Sequence, residues 1–474
     1  FWGLALLGTT LGIAVGAIPG LTGMMLIALS LPLTFTMEPV SGLVLLVSMY
    51  VGAVSGGLIS ATLLRMPGTP AAVMTTLDGY PMASAGRPGR ALGLGIGASL
   101  VGGLISWLAL WQLSEPMADW STKLGPFELF SLVALALALL AGVGETTRVR
   151  AMLAGGLGVL AAMPGTHPAT GQLRWTFGLT EMNEGFRLIP VLIGMFAIGK
   201  IIEDVMGKGG EVEKASGDDS PFIPLGTWKK QIVNLLRSSG IGTLIGVLPG
   251  VGANIGSLAA YVSAKRVSKH PEEFGKGSEE GIVASESANN ATVGGALIPL
   301  IALGIPGSVI GAVLLGALIF HGLIPGPLLF RNNPEAVHAI IGTVLVANVM
   351  MYLIMLCGAR WIARLSSVPK KILLPIVAGS CLWGAYALNA LWFDVVVMLA
   401  FGLLGWKMEQ AKLPLAAFVI GFVLAPVAEE NLCAGLMASG GSYAPLLTRP
   451  ISLCLLLVVA VLLLRKKKVT QKAD

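Results

Sequence analysis

Long apolar stretches recur along this chain from its first residues to its last, separated by short polar segments. A hydrocarbon core of about 30 Å takes roughly 20 apolar residues in a helix, so the pattern predicts membrane-spanning helices. The predicted spans lie near residues 3–32, 40–64, 91–113, 127–143, 149–163, 187–202, 240–263, 291–320, 336–364, 372–389, 392–428 and 451–464. About twelve crossings follow, and the stretch 392–428 is long enough to hold two of them.

A segment of mixed charge divides these spans into two series. It contains Asp218-Asp219-Ser220-Pro221 and is predicted to be a solvated connector. The domain prediction is a first transmembrane repeat at 1–202, a polar connector at 203–237, a second transmembrane repeat at 238–464 and a basic tail at 465–474. Under the positive-inside rule the tail is expected to lie in the cytoplasm.

The two series share a motif. Gly12-x3-Gly16-x2-Pro19-Gly20 recurs 230 residues later as Gly242-x3-Gly246-x2-Pro249-Gly250. Gly56-Gly57 followed by Pro67-Gly68 corresponds loosely to Gly294-Gly295 followed by Pro306-Gly307. One pair of glycines four apart is usually a helix contact, but two copies in register, each closed by Pro-Gly, indicate an internal duplication. An odd number of crossings between the copies would invert one relative to the other, and we expect inverted repeats.

Pro-Gly within an apolar segment has a structural consequence. Proline removes a backbone donor and ends the helix, which leaves unpaired carbonyls on one side and unpaired amides on the other. Lipid tolerates such a break only where it lines a buried or watery cavity, and paired breaks in two repeats point to a transporter's binding site. The predicted fold class is an all-α integral membrane protein in two repeats with broken helices or re-entrant hairpins.

Polar residues crowd around these breaks. Hydroxyl and amide oxygens beside free carbonyls suit a hard cation such as sodium, and positive helix ends suit a carboxylate. The candidate substrate-binding residues are Thr22, Arg65, Pro67, Gly68, Thr69, Asn254, Asn289, Asn290, Pro306, Gly307 and Ser308. The candidate cation-binding residues are Pro19, Gly20, Pro249, Gly250, Ser257, Ser285, Glu286, Ser287 and Thr292. For any single Ser or Asn, a helix cap or an interhelical hydrogen bond is an equal alternative; Arg65 could snorkel to an interface, and Asp78 could cap a helix or turn.

Composition agrees with this picture. The chain is 55% hydrophobic and 12% charged, with a mean hydropathy of +0.82, which excludes an ordinary soluble domain. The net charge of +6 comes from basic residues beside apolar spans, so it indicates topology rather than nucleic-acid binding. The four cysteines and four histidines show neither disulfide nor metal-ligand spacing. No Walker A motif is present, so an ion gradient or another subunit is expected to supply energy. No signal peptide is expected at the apolar start of this sequence, whose missing initiator Met suggests trimming.

Several segments carry a resemblance to a known family. They are Leu77-Asp78-Gly79-Tyr80-Pro81-Met82-Ala83, Pro271-Glu272-Glu273-Phe274-Gly275-Lys276-Gly277, Glu286-Ser287-Ala288-Asn289-Asn290-Ala291, Leu303-Gly304-Ile305-Pro306-Gly307-Ser308 and Gly322 to Phe330. With the two Pro-Gly blocks, these segments resemble the large membrane subunit of the tripartite tricarboxylate transporter family over nearly the whole chain.

The resemblance implies a multi-pass protein of the bacterial inner (cytoplasmic) membrane. Its implied partners are a small four-helix membrane subunit, a periplasmic solute-binding protein, membrane lipid and a small carboxylate substrate; a homodimer is left as an alternative to a monomer. It implies no cofactor, with sodium as the coupling ion. Where many members have a Ser/Thr-rich stretch ending in Asn-Thr-Pro-Gly-Glu, this chain has Leu58 to Thr69 with Arg65 in it. That departure argues against assuming citrate itself.

Two other functions are kept as alternatives. A polytopic enzyme acting on lipid would need a convergent acid, base or metal cluster, which the sequence does not display. A channel or a membrane scaffold would not need duplicated helix breaks. The sequence therefore favours a secondary transporter over an enzyme.

Overall fold

The computed structural model describes residues 1–18, 21–66, 69–142, 148–206, 219–248, 252–365, 370–387 and 390–464. These residues are almost entirely helical, as the sequence predicts, and the one sheet among them is a pair of two-residue antiparallel strands. The chain forms two compact units: Phe1–Thr122 with Phe186–Ala411, and Lys123–Gly185 with Lys412–Asp474. The division into two transmembrane repeats and a connector stays a prediction.

The first unit holds most of the helices. They are α1 (Trp2–Gly16), α2 (Gly23–Thr34), α3 (Pro39–Leu64), α4 (Val73–Ser84), α5 (Pro88–Ser121), α8 (Leu188–Ile193), α9 (Gly199–Met206), α10 (Leu225–Val247), α11 (Gly252–Val267), α12 (Glu279–Leu303), α13 (Val309–Phe320), α14 (Pro327–Asn332), α15 (Pro334–Leu365), α16 (Lys370–Ala387) and α17 (Trp392–Gln410). Short 3-10 turns span Pro70–Ala72 and Pro271–Glu273, and a π-helical turn, Gly194–Ile198, joins α8 to α9.

The second unit is built from α6 (Pro126–Gly142), α7 (Arg148–Ala162), α18 (Leu415–Ala438), α19 (Ala444–Thr448) and α20 (Pro450–Leu464), with strands β1 (Gly165–Thr166) and β2 (Leu173–Arg174) and a 3-10 turn, Thr180–Met182. Arg174 holds Glu429 through two hydrogen bonds of 2.6 and 3.0 Å. This fork raises the pKa of Arg174 above its usual value. The pair ties the hairpin loop to α18.

Two helices, α3 and α12, form the centre of the first unit. The α3 side chains are buried from Gly42 through Thr62, and those of α12 from Gly281 through Ala302. Ser278 caps α12 by accepting a hydrogen bond from the Gly281 amide at 3.2 Å, and acidic residues occupy its first turn, where the helix dipole favours them. A helix buried all round is apolar or carries polar groups that are satisfied inside the protein.

The glycine motifs bring α1 onto α3 and α10 onto α12 in the same way. A Cβ placed on Gly12 would lie 2.4 Å from the Met49 carbonyl oxygen, and one on Gly242 would lie 2.3 Å from that of Ala288. The next glycine of each motif, Gly16 or Gly246, meets the carbonyl of Ala53 or Thr292. Both contact residues are displaced by the same 239 positions, Met49 to Ala288 and Ala53 to Thr292. The two copies therefore pack alike.

Four helices of the described chain are long and apolar enough to cross a membrane. They are α3, α5, the Pro334–Gly358 part of α15, and α18. The stretch 392–428 divides between α17 and α18, as its length allowed. The total of about twelve crossings and the inversion of the repeats stay predictions.

Candidate functional site

The central helices end at equivalent breaks. Arg65 follows α3 in the left-handed conformation, with φ 54° and ψ 21°, and Gly304 follows α12 with φ 68° and ψ 21°. The same spacing of 239 residues relates Arg65 to Gly304 and the segment 67–69 to the segment 306–308. The second break is described: Pro306 and Gly307 are buried, and a Cβ on Gly307 would lie 2.6 Å from the Gly246 carbonyl oxygen. Six predicted site residues lie outside the described chain: Pro19, Gly20, Pro67, Gly68, Pro249 and Gly250.

A new helix or turn begins after each break, and these elements pack in pairs across the two halves of the chain. The start of α2 lies against α13, where a Cβ on Gly23 would be 3.7 Å from Ile310 Cδ1. Helix α11 packs against the turn Pro70–Ala72 and against α4. The pairing is reciprocal, because α2 and α11 are equivalent, as are α4 and α13. The starts of α2 and α13 thus bring two helix N-termini together, and helix N-termini favour anions.

A buried polar network lies on α12. Both carboxylate oxygens of Glu286 are engaged by hydroxyls: Thr75 of α4 donates to Oε1, and Ser99 of α5 donates to Oε2 at 3.3 Å. Thr75 also shares a 3.0 Å hydrogen bond with Ser285. Glu286 is fully buried, and none of the ion pairs between described residues involves it. We call Thr75, Ser99, Ser285 and Glu286 the α12 cluster.

Asn290 links this cluster to α3. Its Nδ2 donates to Ser99 Oγ at 2.8 Å, and its Oδ1 accepts from Ser55 Oγ at 2.5 Å. Asn289 donates a long 3.4 Å bond to the Val54 carbonyl, while its Oδ1 is buried without a hydrogen-bond partner. The predicted face of Glu286, Asn289 and Asn290 is therefore the face that α12 turns toward α3, α4 and α5.

Thr69 and Ser308 occupy equivalent places after their breaks but differ in their contacts. Ser308 caps α13 through the Gly311 amide at 3.0 Å and shares a 3.2 Å hydrogen bond with Tyr50. Thr69 Oγ1 is buried against Gly57 without a partner. Buried polar atoms are usually paired, so the orphaned oxygens of Thr69 and Asn289 have capacity for a ligand.

The other predicted residues are held by local contacts. Thr22 caps α2 through the Met25 amide, and Ser257 donates to the Ser285 carbonyl. Ser287 and Thr292 donate to carbonyls of their own helix. Asn254 is exposed on α11, and Arg65 is exposed beside the Tyr80 ring, with its guanidinium carbon 5.6 Å from the ring centroid. The contacts of Thr22, Ser257, Ser287 and Thr292 match the capping and hydrogen-bonding alternatives. Among the predicted residues, Ser285 and Glu286 belong to the α12 cluster, and Asn290 is bonded to it.

Sequence analysis missed four residues of this region: Tyr50, Ser55, Thr75 and Ser99. Each is one of several polar side chains in a helix that is largely apolar, so its presence alone does not mark a site. Thr75 stands in the pair Thr75-Thr76 shortly after the Pro67-Gly68 break, and this pair is the one signal that the sequence offers. Ser55 and Ser99 stand among small residues, where a serine usually serves helix packing.

Asp78 plays a part that neither alternative foresaw. Its Oδ1 accepts hydrogen bonds from the backbone amides of Gly275, Gly277 and Ser278 at 2.7, 3.0 and 2.8 Å. Its Oδ2 accepts from the Tyr261 hydroxyl at 2.8 Å. Asp78 is thus not a cap of its own helix: it holds the loop between α11 and α12 against α4.

Comparison with known proteins identifies the family. A family model described as "Tripartite tricarboxylate transporter TctA family" matches residues 3–420. An Agrobacterium vitis protein described as "Uncharacterized 52.8 kDa protein in TAR-I ttuC' 3'region" is 32% identical over 451 residues, covering 95% of this chain and 90% of that protein. Another from the same organism, described as "Uncharacterized protein in TAR-II ttuC' 3'region", is 35% identical over 215 residues, covering 45% of this chain and 89% of its own. No solved structure matches.

The family match covers both central helices, all four breaks and the α12 cluster. It points to a transporter rather than an enzyme, in agreement with the helix breaks. This chain belongs to the tripartite tricarboxylate transporter TctA family.

Proposed function

We propose that this chain is the large translocating subunit of a binding-protein-dependent secondary transporter that imports small carboxylates by symport with sodium. The substrates are tricarboxylates or related organic acids. The chain works in the bacterial inner membrane with a small four-helix membrane subunit and a periplasmic solute-binding protein, the partners that a tripartite system implies. The observation that carries the proposal is the crosswise packing of the helices and turn that follow the breaks, together with the buried polar network on α12.

The helix starts favour the anionic substrate. Free N–H groups and the positive end of the helix dipole stabilise a carboxylate without any side-chain charge. At the α2 and α13 starts, the hydroxyls of Tyr50 and Ser308 add donors. Since the two paired starts draw residues from both halves of the chain, a movement of one half against the other would change substrate access.

In this proposal the two repeats provide the two conformations that alternating access requires. Two repeats that pack alike can exchange conformations, and a site at their junction then opens to either side in turn. The similar packing of Gly12 and Gly242 on the central helices supports two equivalent repeats. Inverted orientation and about twelve crossings belong to the proposal.

Uptake into proteoliposomes tests the function. The chain is reconstituted with its small membrane partner, supplied with the cognate binding protein, and offered radiolabelled di- and tricarboxylates with and without an inward sodium gradient. We expect saturable uptake that needs both the binding protein and the gradient. Asn290→Ala, which removes the links to Ser55 and Ser99, is expected to lose most of this uptake, whereas the exposed Asp119→Ala is expected to retain it.

The result that contradicts the proposal is equally direct. Uptake that is independent of every ion gradient would contradict secondary transport, and solute flow that does not saturate would indicate a channel. If a purified, folded complex transported none of the carboxylates, a membrane scaffold would be the remaining function.

A further inference from the structure

We propose that the α12 cluster holds one sodium ion and that the equivalent place in the first half of the chain cannot hold one, so that each chain carries a single sodium site. The inference deepens the proposed function and rests on it. It concerns where the coupling ion binds and how many such places the two repeats provide.

The first argument is the isolation of Glu286. A carboxylate taken out of water into a membrane protein costs several kcal/mol unless a charge compensates it. The groups that contact the Glu286 carboxylate are the hydroxyls of Thr75 and Ser99 and the side-chain amide of Asn289. These neutral groups orient the carboxylate but do not neutralise it. A monovalent cation beside the carboxylate would.

The second argument is the chemistry of the oxygens. Sodium takes hard oxygen ligands, and the cluster gathers the Glu286 carboxylate with the hydroxyls of Thr75, Ser99 and Ser285. Asn289, one helical turn beyond Glu286, is wholly buried with its Oδ1 unpaired. Hydroxyl groups can turn their hydrogens away and present lone pairs, so the same residues serve the empty and the occupied states.

The third argument comes from the repeat itself. The spacing of 239 residues that relates the two copies sets Val47 in the place of Glu286, Tyr50 in that of Asn289 and Val51 in that of Asn290. Both valines are buried in α3. Tyr50 uses its hydroxyl on Ser308, the equivalent of Thr69. The first copy therefore lacks the carboxylate and both amides at these three positions. Its polar group there, the Tyr50 hydroxyl, is already hydrogen-bonded to Ser308.

Sodium binding to the purified full-length chain tests the inference without any substrate. Equilibrium dialysis against radioactive sodium is expected to show one ion per chain with a simple hyperbolic isotherm. Sodium should also raise the melting temperature of the native chain, because it binds the folded state. Glu286→Gln is expected to bind no sodium and to show no sodium-dependent rise in melting temperature.

Two further variants guard against a simple loss of folding. Asn289→Ala removes the unpaired Oδ1 along with the amide contacts to Glu286 and to the Val54 carbonyl, but it keeps the buried carboxylate. A folded variant should therefore need about tenfold more sodium for half-saturation. Ser48→Ala is the matched control, because this buried α3 serine bonds the Val44 carbonyl of its own helix at 2.6 Å. It should bind sodium as the native chain does.

The outcomes separate this inference from the proposed function. Two ions per chain, or unchanged sodium affinity in a folded Glu286→Gln or Asn289→Ala, would overturn the single site even if carboxylate uptake were sodium-driven. Uptake driven by protons with no sodium bound would overturn it too. Sodium binding that is lost in Glu286→Gln would uphold the site even if no tested carboxylate were transported.

Discussion

The Asp78 side chain offers the sharpest test of the structure. It joins α4 to a loop about 200 positions away along the chain, through the amides of Gly275, Gly277 and Ser278 and the hydroxyl of Tyr261. Both glycines have positive φ, 88° and 104°, so the loop backbone takes a shape in which the amides of residues 275, 277 and 278 all point at one carboxylate oxygen. Asp78→Ala removes the acceptor for all four donors.

The size of the effect follows from these contacts. A hydrogen bond to a charged group contributes about 1.5–3 kcal/mol net, and an abandoned buried donor costs about 1–3 kcal/mol. Water can replace the acceptor at Gly275, which is exposed, but Ser278 and Tyr261 are buried. We expect Asp78→Ala to lower the free energy of unfolding by about 3–5 kcal/mol. Asp78→Asn keeps one neutral acceptor in place and should cost about 1–2 kcal/mol.

Limited trypsin digestion locates the effect in the loop. Cleavage sites precede the clamped backbone at Lys265, Arg266 and Lys269, and a fourth, Lys276, lies within it. Cleavage there should be fastest in Asp78→Ala, intermediate in Asp78→Asn and slow in the native chain, with melting temperatures in the reverse order. The exposed Asp119→Ala in α5 is the control and should behave as the native chain does.

Two results would contradict the reasoning. If Asp78→Ala melted and resisted trypsin like the native chain, the carboxylate would not be holding the loop. Equal damage in Asp78→Asn and Asp78→Ala would show that charge, rather than the number of acceptors, decides the contact.

Two further predictions concern the backbone. Gly242→Ala should lower the free energy of unfolding by about 1–3 kcal/mol, because its Cβ would lie 2.3 Å from the Ala288 carbonyl oxygen. Gly240→Ala in the same helix is the control: its Cβ meets no atom within 4 Å and should not destabilise the protein. Equal melting temperatures for the two variants would contradict the packing. Arg65→Gly should be more stable than Arg65→Ala by about 1 kcal/mol, because alanine keeps the left-handed strain at φ 54° whereas glycine does not. Both variants lose the contact with the Tyr80 ring, so that contact does not affect the comparison. A higher melting temperature for the alanine variant would contradict the left-handed conformation.

The relatives do not identify the substrate, so the transport experiments must do so. The related Agrobacterium vitis proteins are described as uncharacterized, so neither supplies a substrate for this chain. The choice of carboxylate rests on the uptake panel, and the choice of ion rests on the α12 cluster.

Local patterns were enough to predict much of the architecture. Hydropathy predicted the long apolar helices, because a helix that crosses a bilayer must be apolar along a continuous segment. Proline and glycine marked the break at 304–308, since their backbone constraints act where they stand. The i, i+3, i+4 spacing placed Glu286, Asn289 and Asn290 on one face, because helical geometry depends on sequence separation alone.

Only the tertiary structure decided which partners those residues meet. Ser55, Thr75 and Ser99 lie about 190 to 235 positions from the α12 residues that they contact. A serine or threonine in a largely apolar helix carries no mark of its partner. Asp78 is the same case, since a cap and a long-range clamp look identical in sequence. Helix identity follows from neighbours along the chain, whereas the cluster depends on how α3, α4, α5 and α12 pack, which close approach between nonadjacent helices determines.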